Sequence, residues 1–315
     1  MRLTRRLDGL VIAGLAAFPL FAPAYLDLGT RAVILILCAM SLDLLVGYCG
    51  LVTLGHAAFF GVGAYSAGIF ALRASAEPLA GLVVGGAAAA VLGLICGAVL
   101  LRSRRLTLIM LSLATVLTMQ ELANRLGWLT GGADGLQGIS MAPIAGRFAF
   151  DLLGRVSYAY AAAVLAVGFL AFRSLVDSNF GRSLVGIREN EARMRAIGTP
   201  VDARLRVAFV TAAAMAGVAG ALQAQVAEFV ALNALSVEFS SEILIMLILG
   251  GAGRRYGAFL GVPLYVFTQD YLAREDPANW YLWIGLLLLA IVFLAPGGLT
   301  VWAGTLARRL KAKRR

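Results

Sequence analysis

The chain has 315 residues, of which 61% are hydrophobic and 14% are charged, with a mean hydropathy of +0.87 and a net charge of +10. Soluble globular proteins contain about 25% charged residues, so this composition excludes an ordinary water-soluble domain. It indicates a polytopic membrane protein.

Ten apolar segments are candidate membrane spans, because about 20 apolar helical residues cross a bilayer core of roughly 30 Å. We therefore predict an all-α membrane protein with about ten transmembrane helices in a single domain, residues 1–315. Segment 239–251 is short for a crossing, and the glycine-rich stretch 50–63 indicates broken or re-entrant backbone. The predicted spans are 9–26, 31–48, 54–72, 79–101, 106–122, 152–172, 207–228, 239–251, 257–273 and 280–303.

The first segment has a second interpretation. Arginines in residues 1–6, an apolar run and Ala22-Pro23-Ala24 resemble a secretory signal, whose cleavage would leave nine spans and a new N-terminus at Tyr25. We favour a retained first helix, because the later helices already direct insertion into the membrane.

The basic residues lie at alternate ends of the predicted spans. With a cytoplasmic N-terminus and ten crossings, 21 of the 27 lysines and arginines are inside and six are outside. This asymmetry follows the positive-inside rule and predicts that both termini, including the basic tail 304–315, are cytoplasmic. The basic excess is therefore a topology signal with anionic membrane lipid as its counter-charge, and it does not indicate nucleic-acid binding.

Sites for metals and nucleotides are not indicated by the residue types. The chain has one histidine, which excludes a His-rich metal centre, and it has no G-x-x-x-x-G-K-[ST] phosphate loop. Cys38, Cys49 and Cys96 lie in or beside apolar segments, where we expect buried small hydrophobic residues. We predict no metal and no cofactor bound by this chain.

Small residues recur on two of the predicted helices. Gly93 and Gly97 form a G-x-x-x-G pair, and Ala216-Gly217-x-Ala219-Gly220 marks a second small surface. Such residues let helix backbones approach closely in a membrane. We favour packing within one subunit over a dimer contact.

Residues 43–65 combine glycine, histidine and aromatic residues in a pattern unusual for a lipid-facing helix. Polar residues inside a membrane are costly and face a bundle interior or a water-filled cavity. We therefore take four residues as candidates for a translocation path, and the alternative is that the histidine makes one interhelical hydrogen bond. The candidates are Gly55, His56, Phe60 and Tyr65.

Three acidic residues, Asp43, Glu121 and Glu242, fall inside predicted spans or at their ends. They are compatible with a proton relay, but they are scattered and no lysine or arginine accompanies them within the apolar segments. We favour structural polar contacts.

Two polar loops interrupt the apolar pattern. The outer loop, residues 123–150, contains a glycine-rich turn cluster that is a candidate outer gate or docking surface through Gly131, Gly132 and Asp134. The charged loop, residues 173–206, contains seven arginines.

Within the charged loop, residues 182–197 fit an amphipathic helix. Such a helix lies on lipid or fills a groove on a partner protein. We favour a partner protein because Glu189 and Glu191 repel anionic headgroups. The apolar face consists of Leu184, Ile187, Met194 and Ile197, and Arg182, Glu189 and Arg193 lie opposite.

The ordered motifs resemble the LivM-type permeases of ATP-binding-cassette (ABC) importers for branched-chain, hydrophobic amino acids. The resemblance covers about residues 40–300. The motifs are Gly47-Tyr48-x-Gly50, Leu54-Gly55-His56-Ala57-x-Phe59-x-Gly61-x-Gly63-Ala64-Tyr65, Thr130-Gly131-Gly132-x-Asp134-Gly135-Leu136, Phe180-Gly181-Arg182, Ile187-Arg188-Glu189-Asn190-Glu191-Ala192, Gly198, Ala208-Phe209 and Ala216-Gly217-x-Ala219-Gly220.

The resemblance implies a permease domain in the bacterial cytoplasmic (inner) membrane that works within a complex. The partners would be a LivH-like second permease, two ATPase subunits (LivG-like and LivF-like) that use ATP, and a periplasmic substrate-binding protein. The charged loop would be the cytoplasmic coupling loop that docks on an ATPase, so this chain would be a transport subunit and not an enzyme. The implied coupling residues are Gly181, Arg182, Arg188, Glu191 and Gly198. Arg193 and the seven-residue spacing from Glu191 to Gly198 depart from the general form of this loop.

Three alternatives remain open. The same kind of importer can carry urea, amides or aromatic acids. A proton-coupled secondary transporter would use Asp43 or Glu242. A membrane enzyme ranks lowest, because one histidine and scattered acids give no nucleophile–base pair supported by spacing.

Overall fold

The computed structural model describes residues 9, 14, 15, 18, 19, 25–103, 105–143, 154–294 and 297–300. Within these ranges the protein is α-helical without a β-strand, and one isolated antiparallel bridge joins Leu136 to Val230. The α-helices are α1 Leu26–Asp43, α2 His56–Arg73, α3 Pro78–Leu100, α4 Arg105–Arg125, α5 Gly127–Thr130, α6 Arg155–Asp177, α7 Asn179–Glu189, α8 Glu191–Ala196, α9 Val201–Ala227, α10 Val237–Gly250, α11 Gly257–Glu275 and α12 Trp280–Leu294.

Five helical stretches in the described part of the chain are long and apolar enough to cross a membrane. The other predicted segments from 54–72 onward are largely helical where the structure describes them, but these helices are shorter or more polar, and α10 has 14 residues, or about 21 Å. The five stretches are Leu26–Cys49, Pro78–Leu100, Leu106–Arg125, Arg155–Asp177 and Val201–Ala227.

The prediction of an all-α polytopic membrane protein is confirmed. The number of crossings and the orientation of the termini stay predictions. Segment 9–26, apart from isolated positions, and the basic tail 304–315 lie outside the described residues.

The predicted backbone break lies between α1 and α2. After α1 the helix continues as a π-helical turn, Leu44–Cys49, and ends at Gly50, whose φ of +73° is in the left-handed region. Helical structure resumes at His56. The expected broken backbone is therefore present over residues 50–55, while the rest of the stretch 50–63 is helical.

Helix α1 lies at the centre of the bundle and is buried along almost its whole length, in contact with α6, α9, α10 and α11. A helix that is apolar all round is suited to such a position. The outer helices α3, α4 and α6 instead present large exposed apolar side chains, among them Val83, Leu106 and Val167. Lipid is the solvent that accommodates such surfaces.

Small residues hold α3 against α9 and α2. A methyl group on Gly85 would lie 2.7 Å from the Ala221 Cβ atom, and one on Gly93 would lie 2.5 Å from the Ala213 Cβ atom. The expectation of tight packing within one subunit is confirmed. All three cysteines also behave as expected, because Cys38 and Cys49 are buried and Cys96 is half-buried.

Candidate functional site

The charged loop forms two short helices, α7 and α8, separated at Asn190. The prediction of one helix over 182–197 is wrong, because Asn190 has extended backbone angles (φ −157°, ψ 96°) and caps α8. Its Oδ1 atom accepts the Arg193 N–H at 2.9 Å, as asparagine does at a helix N-cap. Ser178 caps α7 in the same way through the Gly181 N–H.

The break changes which apolar residues are buried. Leu184 and Ile187 of α7 are buried as predicted, and Met194 is half-buried. Ile197, in contrast, has 69% of its surface exposed, so its assignment to the apolar face is wrong. The helical periodicity of α7 does not continue into α8, because α8 starts in a new direction after Asn190.

Charged side chains of the loop pair with one another at the surface. The Arg195 guanidinium bonds to Glu191 at 2.9 Å and to Asp202 at 2.7 Å, which joins α8 to the first turn of α9. These hydrogen bonds, to Asp202 and then Glu191, raise the pKa of Arg195, so the network stays charged. Arg182 is exposed and donates to Asn179 Oδ1 at 2.8 Å.

Two positions of the loop require glycine, each for a different structural reason. Gly181 packs on α6, since a Cβ atom there would lie 2.6 Å from the Val176 Cα atom. Gly198 has a φ of +82° and ends α8. The Gly198 N–H donates to the Arg195 carbonyl and the Thr199 N–H to the Met194 carbonyl, which is the Schellman pattern of a helix C-terminus.

Arg188 behaves differently from the other implied coupling residues. Its Nη1 atom donates to the carbonyl oxygen of Gly47 in the π-helical turn. Its guanidinium therefore contacts the end of the central helix, although Arg188 is itself exposed, as Arg182 and Glu191 are.

An open cleft of about 1100 Å³ lies beside the two loop helices. Its walls come from the end of α3, the residues after it, the helix break and the charged loop, and they include Gly50, Arg102, Glu189 and Arg206. Charges of both signs line it, so the cleft suits a polar protein surface better than apolar lipid.

The candidate path residues lie in the packed interior of the chain. His56 is fully buried at the start of α2, and its Nε2 atom is 2.6 Å from Ser41 Oγ on α1. Gly55 is buried just before it, and its N–H donates to Thr53 Oγ1. The Ala57 N–H donates to Ser240 Oγ on α10 at 2.9 Å, so the restart of the helix is fixed to two neighbours.

Phe60 and Tyr65 are also buried. Phe60 packs on Phe239 with ring centroids 4.8 Å apart, and Tyr65 belongs to a small apolar cluster near the outer loop. The Tyr65 hydroxyl has no hydrogen-bond partner among the described residues. The structure thus contains the single interhelical hydrogen bond of the alternative interpretation, and the path role of these residues stays a prediction.

The three acidic residues each have a separate local partner. Asp43 is buried and accepts the Gly253 N–H at 2.6 Å. Glu121 is exposed and pairs with Arg125 at 2.6 Å. Glu242 bonds to Tyr265. This arrangement fits structural polar contacts.

The outer loop is held to the bundle by its glycines and by one backbone bridge. Gly131 and Gly132 both have positive φ, and Asp134 is exposed. Leu136 and Val230 exchange backbone hydrogen bonds of 2.9 and 3.1 Å, which fixes the loop to the end of α9. A pocket of about 440 Å³ opens here, so a gate or docking role for Gly131, Gly132 and Asp134 stays a prediction.

Sequence reasoning missed the turn at residues 251–256, between α10 and α11. Gly253 binds Asp43 there, and Arg255 pairs with Asp177 at the end of α6. The available signal was Gly251-x-Gly253-Arg254-Arg255, a glycine and arginine cluster between two apolar helices. The count of basic residues by the positive-inside rule treats these arginines only as markers of topology.

Comparison with known proteins gives consistent matches. A family model described as "branched-chain amino acid transport system / permease component" matches residues 24–292. The chain is 29% identical over 305 residues to the high-affinity branched-chain amino acid transport system permease protein LivM of Salmonella typhimurium, covering 87% of this chain and 69% of that protein. The protein of the same name from Escherichia coli is 28% identical over 304 residues, with the same two coverages.

A third relative gives a similar match. The probable branched-chain amino acid transport permease protein LivM of Methanocaldococcus jannaschii is 30% identical over 237 residues, covering 67% of this chain and 66% of that protein. No solved structure matches the chain significantly.

Proposed function

We propose, from the premise that this chain belongs to the family of permease components of branched-chain amino acid transport systems, that it is the membrane subunit of an ATP-driven importer. In this role it translocates branched-chain or other hydrophobic amino acids by alternating access. ATP is used by separate partner subunits and not by this chain.

One observation carries the proposal beyond family membership. The charged loop is folded as two capped helices whose apolar face, Leu184 and Ile187, is buried on the bundle, while Arg182, Glu189 and Arg193 face outward. A charged helical surface beside an open polar cleft is a suitable docking site for a partner protein. An ATPase on this face would act on the membrane helices through α7.

The partners follow from the same role. A LivH-like second permease would complete the pore, LivG-like and LivF-like ATPases would dock on the charged loop, and a periplasmic binding protein would deliver the substrate at the outer loop. The location would be the bacterial inner membrane, with the charged loop in the cytoplasm.

The decisive experiment is uptake of labelled leucine by proteoliposomes that contain this chain and the second permease. We expect ATP-dependent uptake that requires both ATPases and the binding protein. Loss of uptake on omission of either partner class supports the proposal, and uptake that persists without the ATPases contradicts it.

A second substrate class is tested with the same complex. If urea, an amide or an aromatic acid replaces leucine as the transported solute, the importer role stands and the amino-acid assignment is wrong. Transport by the purified chain under a pH gradient without ATP would instead identify a proton-coupled carrier using Asp43 or Glu242.

A further inference from the structure

Three parts of the chain meet where α7 ends. They are the last turn of α7, the π-helical turn Leu44–Cys49 and the turn 251–256 between α10 and α11. We call this meeting point the junction. It connects the charged surface loop to the interrupted helix in the centre of the bundle.

Arg188 makes the first connection of the junction. Its Nη1 atom donates to the Gly47 carbonyl oxygen, and its aliphatic part lies over Gly50, where a Cβ atom would be 2.6 Å from Arg188 Cγ. A longer side chain at position 50 would displace the arginine. The last turn of α7 is therefore fastened to the segment where the central helix ends.

Asp43 makes the second connection. Its carboxylate is buried and accepts the Gly253 N–H at 2.6 Å, and Arg188 Nη1 lies 3.0 Å from the Cβ position of the same glycine. A buried carboxylate needs such partners, because an unpaired charge in an apolar interior is strongly unfavourable. The close approach depends on glycine, since a Cβ atom on Gly47 would lie 2.6 Å from the Gly253 Cα atom.

A third connection holds the end of α6, directly before α7. Asp177, the last residue of α6, accepts a hydrogen bond from Arg255 in the same turn. The turn 251–256 thus contacts the charged loop directly before α7 and, through Asp43 and the π-helical turn, at the end of α7. A displacement of α7 cannot leave the turn in place without breaking one of these contacts.

The turn leads back to the far side of the helix break. It follows α10, and Ser240 near the start of α10 accepts the Ala57 N–H where α2 begins. These contacts therefore connect α7 to the π-helical turn through Arg188 and to the beginning of α2 through the turn 251–256 and α10. One surface helix, α7, is thus connected by contacts to the segments on both sides of residues 50–55.

We propose that Arg188 and Asp43 are positioning residues that transmit movement of α7 to the interrupted helix, and that the contact of Arg188 with Gly47, rather than its exposed surface, carries its coupling role. The inference rests on the proposed function, in which an ATPase displaces α7. The link works as a rigid connection that is retained throughout the transport cycle.

The first test compares Arg188→Gln with Asp43→Leu, which removes the acceptor for the Gly253 N–H, in the complete importer, reconstituted with its second permease, ATPases and binding protein. We expect both variants to retain the ATPases during purification and to hydrolyse ATP, while leucine transported per ATP falls roughly tenfold. The matched control is Arg125→Gln, which removes only an exposed pair with Glu121 far from the junction and leaves this ratio unchanged.

Two results overturn the inference. One is an unchanged ratio of leucine to ATP in Arg188→Gln. The other is loss of the ATPases from this variant, which would make Arg188 a docking contact. Failure of the proposed function is distinguishable, because it appears in the unmodified complex as absent leucine uptake or absent ATPase binding.

The second test restores the link covalently. In a background with Cys38, Cys49 and Cys96 replaced by alanine, Gly50→Cys and Arg188→Cys place two Cβ atoms about 3.5 Å apart, within the range of a disulfide. We expect the variant with reduced cysteines to transport less leucine per ATP than the unmodified importer. Oxidation to the disulfide should restore this ratio. The strain of cysteine at position 50 is the same in both states and cancels in the comparison.

The disulfide also tests the geometry without any partner. Failure of the pair to oxidise in the purified permease overturns the contact between α7 and the helix break. Oxidation that stops transport, where the reduced pair transports, overturns the rigid link, because the contact would then have to open in each cycle.

Discussion

Several glycines in this bundle lie where a neighbouring backbone approaches closely, whereas others lie in open space. At Gly63 on α2 the neighbour is the backbone of Gly217 on α9, so a side chain has no flexible group to displace. At Gly285 on α12 no atom lies within 4 Å of the Cβ position among the described residues. The same substitution should therefore have opposite consequences at the two positions.

Gly63→Ala should lower the stability of the permease by about 2 kcal/mol, because overpacking moves α2 away from α9. Gly285→Ala is the control and should leave stability unchanged or slightly higher. The thermal unfolding midpoint of the purified protein in detergent measures both. Equal midpoints for the two variants would contradict the packing described for α2 and α9.

Gly198 is required for its backbone conformation, because its surroundings are open and its φ is +82°. Gly198→Ala should cost about 1 kcal/mol of local stability and speed exchange of the Thr199 amide about fivefold. Gly198→Asn should exchange nearly as the unmodified protein does, because asparagine tolerates the left-handed region. Equal acceleration of amide exchange in both variants would mean that side-chain volume, and not φ, makes glycine necessary at this position.

At the scale of elements, the direction of α8 depends on its cap. The Met194 sulfur lies 2.9 Å from the Cβ position of Gly186, which places α8 back against α7. Residues eight apart in one continuous helix are separated by about 12 Å along the axis, so this contact requires the break at Asn190.

Asn190→Ala removes the cap, at a cost of about 1 kcal/mol, and should favour fusion of α7 with α8. Spin labels at Ser183 and Ala196 would report this as a shift of the distance distribution towards about 20 Å, the value for a continuous helix. Asn190→Asp keeps an acceptor at the cap and is the control. If Asn190→Ala leaves the distance distribution unchanged, tertiary contacts alone determine the bend between α7 and α8.

A helix could be predicted from the sequence where a long run of apolar residues marks it. Runs of apolar residues predict the positions of the long helices α1 to α4, α6 and α9 to α12, and the spacing of Leu184 and Ile187 predicts the buried face of α7. The exposure of Ile197 was not predictable from periodicity, because a local cap redirected the chain.

The contact of Arg188 with Gly47 could not be predicted without knowledge of distant residues. Its partner Gly47 is 141 positions away, and the approach depends on Gly253 in a third segment. Local sequence, in which Arg188 stands among other loop arginines, favoured a surface contact. The family motifs marked the residue without giving its partner.

For the whole molecule, two polar regions lie at opposite ends of the long helices. The cleft joins Arg102, just before α4, to Glu189 and to Asp202 in the first turn of α9. At the other ends of these helices, Leu136 pairs with Val230. The lengths of α4 and α9, 21 and 27 residues, separate the two regions by about 30 to 40 Å, the thickness of a bilayer.

This geometry gives a direct test of the orientation predicted from the positive-inside rule. Asp134 and Glu189 are both exposed, so cysteine at either position is reachable by a membrane-impermeant maleimide. In a background without native cysteines, Asp134→Cys should be labelled in intact spheroplasts, and Glu189→Cys should react after the membrane is permeabilised. The reverse pattern would place α7 and α8 outside the cell, where no ATPase reaches them, and would remove the physical basis of the coupling role.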